Sequence, residues 1–204
     1  MATTRLKPSS KITGLILAGG LARRMNGQDK GLILYQGRPL IEHLLSAFAP
    51  QVQSLIISAN RNQTHYLQYS NQVYQDEYGD FSGPLAGIAT ALKHCQTDWL
   101  ACIPCDAISL PADFVQRLYQ QAKQEQTLIA IAHDGTRLQP LYALLHRSLL
   151  IDLENYLNNN KQRVTQWVMQ QNPAITDFSE SAGDFRNINC LEDLLVASSL
   201  ADAE

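Results

Sequence analysis

The sequence predicts an α/β protein, a three-layer α/β/α sandwich built on a mostly parallel sheet. Short apolar runs alternate with longer amphipathic segments along the whole chain. The runs are nearly continuous in apolar residues, as strands covered on both faces must be. Alternation of this kind joins parallel strands through right-handed crossovers. With 204 residues and 45% hydrophobic content, the chain can bury one sizeable core. A single domain over 1–204 is therefore expected, with 1–11 as a flexible N-terminal extension.

ITGLIL (12–17) opens as a strand and runs into a loop rich in glycine and cations. PLIEHLLSAFA (39–49) reads as the first helix, followed by the strands SLIISA (54–59) and QVYQ (72–75). GPLAGIATALKHC (83–95) is a helix, WLACI (99–103) a strand, PADFVQRLYQQAKQ (111–124) a helix and LIAIAH (128–133) a strand. Proline at or near each helix start suits the first turn, where its missing N–H costs nothing. LQPLYALLH (138–146) reads as a further strand, 147–170 as helical, and CLEDLLVASSL as a short closing helix. There is no repeat, low-complexity stretch or linker, and the pattern is that of a Rossmann-like sheet.

Composition narrows the partners. A formal net charge of -3 gives no general attraction to nucleic acid or to an anionic membrane. The first eleven residues lead to no signal-peptide core, and no run reaches the length of a membrane span, so a cytoplasmic protein is expected. Four cysteines in a chain of this size make no disulfide scaffold. No heptad or apolar stripe is readable, which leaves a monomer as the default. Between Gly14 and Ile41, however, Arg23, Arg24, Lys30 and Arg38 face only one acid, Asp29. A local positive island on an acidic protein suits a small anionic ligand.

In open α/β sheets ligands bind beyond the carboxyl ends of the strands. Polar groups follow every predicted strand there: Gly19, Gly20 and the cations, then Ser58 and Asn60, then Asp76, then Asp106, then Asp134. Gly19 and Gly20 lack a Cβ, so their backbone can approach a ligand closely and adopt positive φ. With arginines and a lysine behind them they make a phosphate cradle. The loop matches neither GxxxxGK[ST] nor GxGxxG, so it is neither a P-loop nor a dinucleotide fingerprint.

LAGGLARRMNGQDK (17–30) resembles LAGGxxxRMGxDK, the signature of the molybdenum cofactor guanylyltransferases, the MobA family of the nucleotidyltransferase superfamily. The likeness continues through GRPL (37–40), SAN (58–60), GPLAG (83–87), PCD (104–106) and FRNINCLEDL (185–194), spanning about 12–195. It implies a nucleotide-diphospho-sugar transferase-like fold. It further implies transfer of GMP from GTP to the terminal phosphate of molybdenum-molybdopterin, with release of pyrophosphate and a requirement for Mg2+. Carried over by position, Leu17, Ala18 and Gly19 would line the nucleotide, and Gly20, Arg24 and Lys30 would hold phosphates. Ser58, Asn60 and Asp76 would contact the nucleoside, Asp106 would bind the metal, and Asn187 and Asn189 would lie near the pterin. Arg24, Lys30 and Asp106 would be the catalytic set. Cofactor-delivery chaperones or molybdoenzymes are the partners that such a role allows.

Three departures stand out. Asn26 replaces the usual glycine of RMG, although asparagine tolerates a left-handed backbone. Ser58 stands where many relatives have asparagine, and PCDAISLP lacks the usual proline two places after the aspartate.

The residues agree chemically with this reading. A phosphate monoester's second pKa is about 6, so the attacker is largely ionised at neutral pH and no general base is needed. What remains is alignment and charge cancellation, which cations and a carboxylate holding Mg2+ supply. The Cys102–Cys105 CxxC has no partner pair, and the five histidines show no metal-ligand spacing. Trp99, Trp167, Phe48 and Phe114 read as packing, Arg23 as a solvated neighbour of Arg24, and Asp134 as the cap of a turn with Gly135. The rival readings are a molybdopterin cytidylyltransferase or a sugar-phosphate nucleotidyltransferase, since the cradle reads triphosphate and not base. A non-catalytic nucleotide or pterin carrier is a third, but carrying alone would not require Asp106.

Overall fold

The computed structural model describes residues 12–20, 28–78, 83–185 and 187–188. Strand β1 (Ile12–Leu17) lies inside the sheet, with five of its six residues buried. It pairs in parallel with β4 (Ser54–Ser58) on one side and β6 (Trp99–Pro104) on the other. β5 (Val73–Tyr74) extends the sheet beyond β4. Beyond β6 come β8 (Leu138–His146), β7 (Ile129–His133) and β9 (Ala174–Asp177), giving the order β5-β4-β1-β6-β8-β7-β9.

Six of these seven strands run the same way, and β8 is reversed against both β6 and β7. The four residues Asp134–Arg137 that join β7 to β8 are too few for a parallel crossover. The chain must turn back on itself there, and Gly135 supplies the positive φ, 89°, that the turn needs.

Helices cover both faces. Ile12 and Ile16 pack with Ile41, Leu44 and Phe48 of α1 (Leu40–Phe48) and with Phe114, Val115 and Leu118 of α4 (Phe114–Glu125). Leu15, Leu100 and Cys102 point the other way. They meet Leu85, Ile88 and Leu92 of α3 (Pro84–His94), Leu153 of α5 (Leu150–Asn158) and Trp167 of α6 (Val164–Gln170). The alternation within β1 is the side-chain period of a strand, here apolar on both faces.

Several elements differ from expectation. Pro39 belongs to a small hairpin, β2 (Leu34–Tyr35) with β3 (Arg38–Pro39), and caps α1 from outside. The hairpin turns through Gln36 and Gly37, both at positive φ (48° and 77°), as a two-residue turn between twisted strands requires. α4 starts at Phe114, three residues after Pro111, so of the three prolines expected to open helices Pro84 alone occupies a first helical turn. The expected helix over 147–170 divides into a 3-10 turn (Arg147–Leu149), α5 and α6, with Asn160 at φ 56° in the break. β9 is not among the expected strands; it is four residues long and alternates buried with exposed. CLEDLLVASSL, 1–11, Arg23, Arg24, Asn26 and Asn189 lie outside the described residues. Among the described residues, no helix is long and apolar enough to cross a membrane.

Candidate active site

The parallel strands bring their carboxyl ends to one edge, and hydrogen bonds between chain exits fix it. Ala18 N donates to Ser58 O at 2.8 Å, and Cys105 N donates to Leu17 O at 3.0 Å. The exits of β1, β4 and β6 are thereby tied together. Gly19 O accepts from Asn60 Nδ2 at 3.4 Å, and Gly20 O accepts from the Arg61 guanidinium at 3.0 Å. Arg61 is a cation at the cradle that the sequence reading missed, because it lies outside the glycine loop.

The expected left-handed backbone at Gly19 and Gly20 is not what the structure uses. Among the described residues the positive-φ glycines are Gly37, Gly83 and Gly135. What matters at Gly19 and Gly20 is the missing Cβ. One added at Gly19 would sit 3.0 Å from Asn60 Nδ2, and one added at Gly20 would occupy open space.

Ser58, Asn60 and Asp76 form one network. Asp76 Oδ1 accepts from Ser58 Oγ at 2.9 Å and Oδ2 accepts from Asn60 Nδ2 at 2.8 Å. Asp76 N donates to Asn60 Oδ1 at 2.9 Å, so the amide and carboxylate fix each other. Ser58 is buried and its hydroxyl is turned to Asp76, so in this arrangement it acts on the site through that carboxylate. α3 closes over the network because Gly87 has no side chain. A Cβ there would lie 2.6 Å from Ser58 Oγ and 2.9 Å from Leu17 Cδ2.

Lys30 and Asp106 meet across the edge. Lys30 Nζ donates to Asp106 Oδ2 at 2.8 Å, with both side chains largely buried. The other carboxylate oxygen, Asp106 Oδ1, is buried and has no hydrogen-bond partner among the described residues. Leaving such an oxygen unsatisfied costs about 1–3 kcal/mol. A hard cation such as Mg2+ would satisfy it. No cluster of three or more His, Cys, Asp or Glu suited to a metal exists among the described residues. A single carboxylate fits an ion that keeps its waters and takes substrate phosphates as further ligands.

The residue that precedes Lys30 is itself anchored. Asp29 is buried, its Oδ1 accepting from Oη of Tyr66, the last residue of the short helix α2 (Gln63–Tyr66), at 2.5 Å and its Oδ2 from Asn62 Nδ2 at 3.1 Å. Burial, then the nearby Cys105 and Asp29, push the Tyr66 phenol far above its ordinary value, so it stays a donor. Gly31 lets the turn pass over this phenol, since a Cβ there would lie 2.6 Å from Tyr66 Oη. Sequence reasoning gives Tyr66 no role. Its aromatic ring in a polar stretch between strands was the only signal.

Asn187 joins the site from the far end of the chain. Ile188 N donates to Asp106 O at 2.9 Å, and Asn187 bridges Ala107. Asp134, also at this edge, is occupied by its own turn. Its Oδ1 accepts from Thr136 N, Thr136 Oγ1 and Arg137 N, and its Oδ2 from Gln139 Nε2 at 2.6 Å. Desolvation opposes ionisation there, but the donors from Arg137, Thr136 and Gln139 outweigh it and hold the carboxyl well below the usual range. Cys102 and Cys105 are buried and burial pushes both thiols up, so neither is a reactive thiolate.

A family model described as the MobA-like NTP transferase domain matches residues 14–174. The chain belongs to that family. Among relatives named molybdenum cofactor guanylyltransferase, that of Photobacterium profundum is 43% identical over 188 residues, covering 92% of this chain and 96% of its own. That of Shewanella sediminis is 41% identical over 184 residues, covering 90% and 94%. Molybdopterin-guanine dinucleotide biosynthesis protein A from Archaeoglobus fulgidus superposes with a TM-score of 0.77 at 21% identity, covering 94% of this chain and all of its own. At that identity it attests to the fold alone, the nucleotide-diphospho-sugar transferase-like fold expected.

Proposed function

We propose that this chain transfers GMP from GTP to the terminal phosphate of molybdenum-molybdopterin, forming the guanine dinucleotide cofactor and pyrophosphate. The supporting observation is the Lys30–Asp106 pair with its orphaned Asp106 Oδ1, set beside the glycine exit of β1. The names carried by relatives near 40% identity support the choice of base and acceptor.

In this reading an acceptor phosphate oxygen, already ionised, forms a bond to the α-phosphorus of GTP. The bond from that phosphorus to the bridging oxygen breaks, and pyrophosphate leaves with the electron pair. No side chain needs to remove a proton. Gly19 and Gly20 let the triphosphate approach the backbone, while Lys30, with Arg24 expected to join it, balances its charge. Asp106 Oδ1 would hold Mg2+, which when bound supplies further charge neutralisation on the phosphates. Leu17, Ala18 and the Ser58–Asn60–Asp76 network would seat the nucleoside, and Asn187, with Asn189, would face the pterin. The setting is cytoplasmic and monomeric, with chaperones or molybdoenzymes receiving the product.

A nucleotide panel tests the proposal. With Mg2+ and molybdenum-molybdopterin, pyrophosphate release is expected with GTP far above CTP, ATP or UTP. A site that hydrogen-bonds one base leaves groups unpaired with another. Preferred use of CTP would replace the guanylyl reading by the cytidylyl one, and pyrophosphate release only with a sugar phosphate would replace the acceptor.

A further inference from the structure

Tyr142 stands where β8 parts from both neighbours. The pairing of β6 with β8 ends at Cys102↔Ala143. On the other side, Ile131 pairs Ala143 while the next residue, Ala132, pairs Gln139, so Pro140, Leu141 and Tyr142 fall between two registers. Extra residues of this kind re-aim side chains, and proline is tolerated there because no ladder N–H is needed. The Tyr142 ring is wedged edge-on between Phe114 (6.2 Å between centroids) and Phe185 (5.0 Å). Its hydroxyl reaches Asn187 Oδ1 at 2.5 Å.

That bond determines which way the Asn187 amide faces. Tyr142 is only 1% exposed, so its O–H must find an acceptor inside the protein. Only the oxygen end of the amide can accept; with the amide turned over, Nδ2 would donate to the phenol oxygen and the buried O–H would lose this acceptor. Burial, then the charge of Asp106, push the phenol far up, so it remains a donor at any working pH. Asn187 itself is pinned by backbone to the Asp106 loop, through the Ala107 bridge and Ile188 N to Asp106 O.

We infer that Tyr142 is a positioning residue for the acceptor substrate: it locks Asn187 with Oδ1 inward, making that amide a hydrogen-bond donor that recognises an acceptor oxygen, a phosphate or carbonyl, on the second substrate. The inference rests on the functional reading above, in which Asn187 lies beside the pterin-bearing substrate. Nucleotide binding is a separate matter, since Tyr142 has no hydrogen bond to the Gly19–Asn60–Asp76 or Lys30 groups among the described residues.

The test is steady-state kinetics with GTP and molybdenum-molybdopterin varied in turn. Tyr142→Phe keeps the ring between its two phenylalanines and removes one hydroxyl. It is expected to raise the acceptor KM about 3- to 10-fold, the worth of one hydrogen bond, with the GTP KM within about twofold. Asn187→Ala should raise the same constant, and the double variant should be no worse than Asn187→Ala alone, because the hydroxyl acts only through the amide. Should Tyr142→Phe cost the fold, Asn187→Asp carries the test. It keeps an oxygen for the phenol, replaces the donor by an acceptor, and should raise the acceptor KM at least as much as Asn187→Ala. An active wild type with an unchanged acceptor KM in Tyr142→Phe, with effects that add in the double variant, or with an unchanged acceptor KM in Asn187→Asp overturns this inference alone. A wild type that transfers no GMP overturns the functional reading and this inference with it.

Discussion

Lys30 Nζ and Asp106 Oδ2 are 76 residues apart in the chain and 2.8 Å apart in space. That contact joins the loop after the first strand to the loop after the sixth, and it leaves Asp106 with one paired oxygen and one buried oxygen without a hydrogen-bond partner among the described residues. A carboxylate kept half-satisfied in a buried place costs stability, and in the proposed reading a bound cation with a polyphosphate would offset that cost.

Asp106→Asn keeps size and removes charge. Metal assistance typically contributes several kcal/mol to a transition state, so turnover is expected to fall at least about 100-fold. Added Mg2+ should restore only part of it. The melting temperature should move by only a few degrees, since the lost ion pair is offset by relief of the orphaned oxygen. Full Mg2+-dependent activity in a folded variant would move the metal site elsewhere, with Asp76 the next carboxylate at the edge.

Lys30→Ala should weaken GTP binding or turnover while the protein stays folded, at a stability cost of about 1–2 kcal/mol. Kinetics of the variant and wild type, read beside their thermal melts, decide this. Unchanged GTP kinetics would mean that the cradle is not where the phosphates sit.

Gly31→Ala places a Cβ 2.6 Å from Tyr66 Oη, in a phenol that is fully buried and bonded to Asp29. Overpacking of this kind costs about 1–3 kcal/mol. The same change made together with Tyr66→Phe removes the clashing oxygen, leaving ring atoms at 3.4 Å. Urea midpoints should therefore fall in Gly31→Ala and recover part of the loss in the double variant. Equal loss in both would place the strain elsewhere.

Much of this architecture was legible because the sheet is buried on both faces. ITGLIL and WLACI are apolar almost throughout. The reversal of β8 was written in the four residues DGTR, but the dominant β-α alternation outweighed that local turn signal. β9 is too short and half-exposed to stand out, and the break at Asn160 is a single left-handed residue. At the site, Lys30, Asp106, Asn60 and Asp76 were readable as charged or amide groups at strand exits. Tyr66, Gly87, Arg61 and Tyr142 were not, because their roles are contacts made across the fold with residues distant in sequence.

Asp134 gives a pH test free of the active chemistry. Its carboxyl is held below its ordinary value in the folded chain, by the donors of Arg137, Thr136 and Gln139 acting against desolvation. A depressed folded pKa stabilises the fold above the unfolded pKa, about 3.9, and that stability is lost as pH falls below it. Asp134→Ala should therefore lower the urea midpoint clearly at pH 7, and the gap to wild type should narrow as pH falls below about 4. A gap that stays constant down to pH 2 would show that the turn depends on shape alone.

The most direct measurement follows the α-phosphate. GTP labelled at that position is incubated with Mg2+, molybdenum-molybdopterin and the protein, and the products are separated. Transfer of α-phosphorus to the acceptor predicts label in a pterin dinucleotide, with one equivalent of pyrophosphate, in wild type and at least about 100-fold more slowly in Asp106→Asn. Label recovered in GDP, or bound intact as GTP with no product, would contradict it.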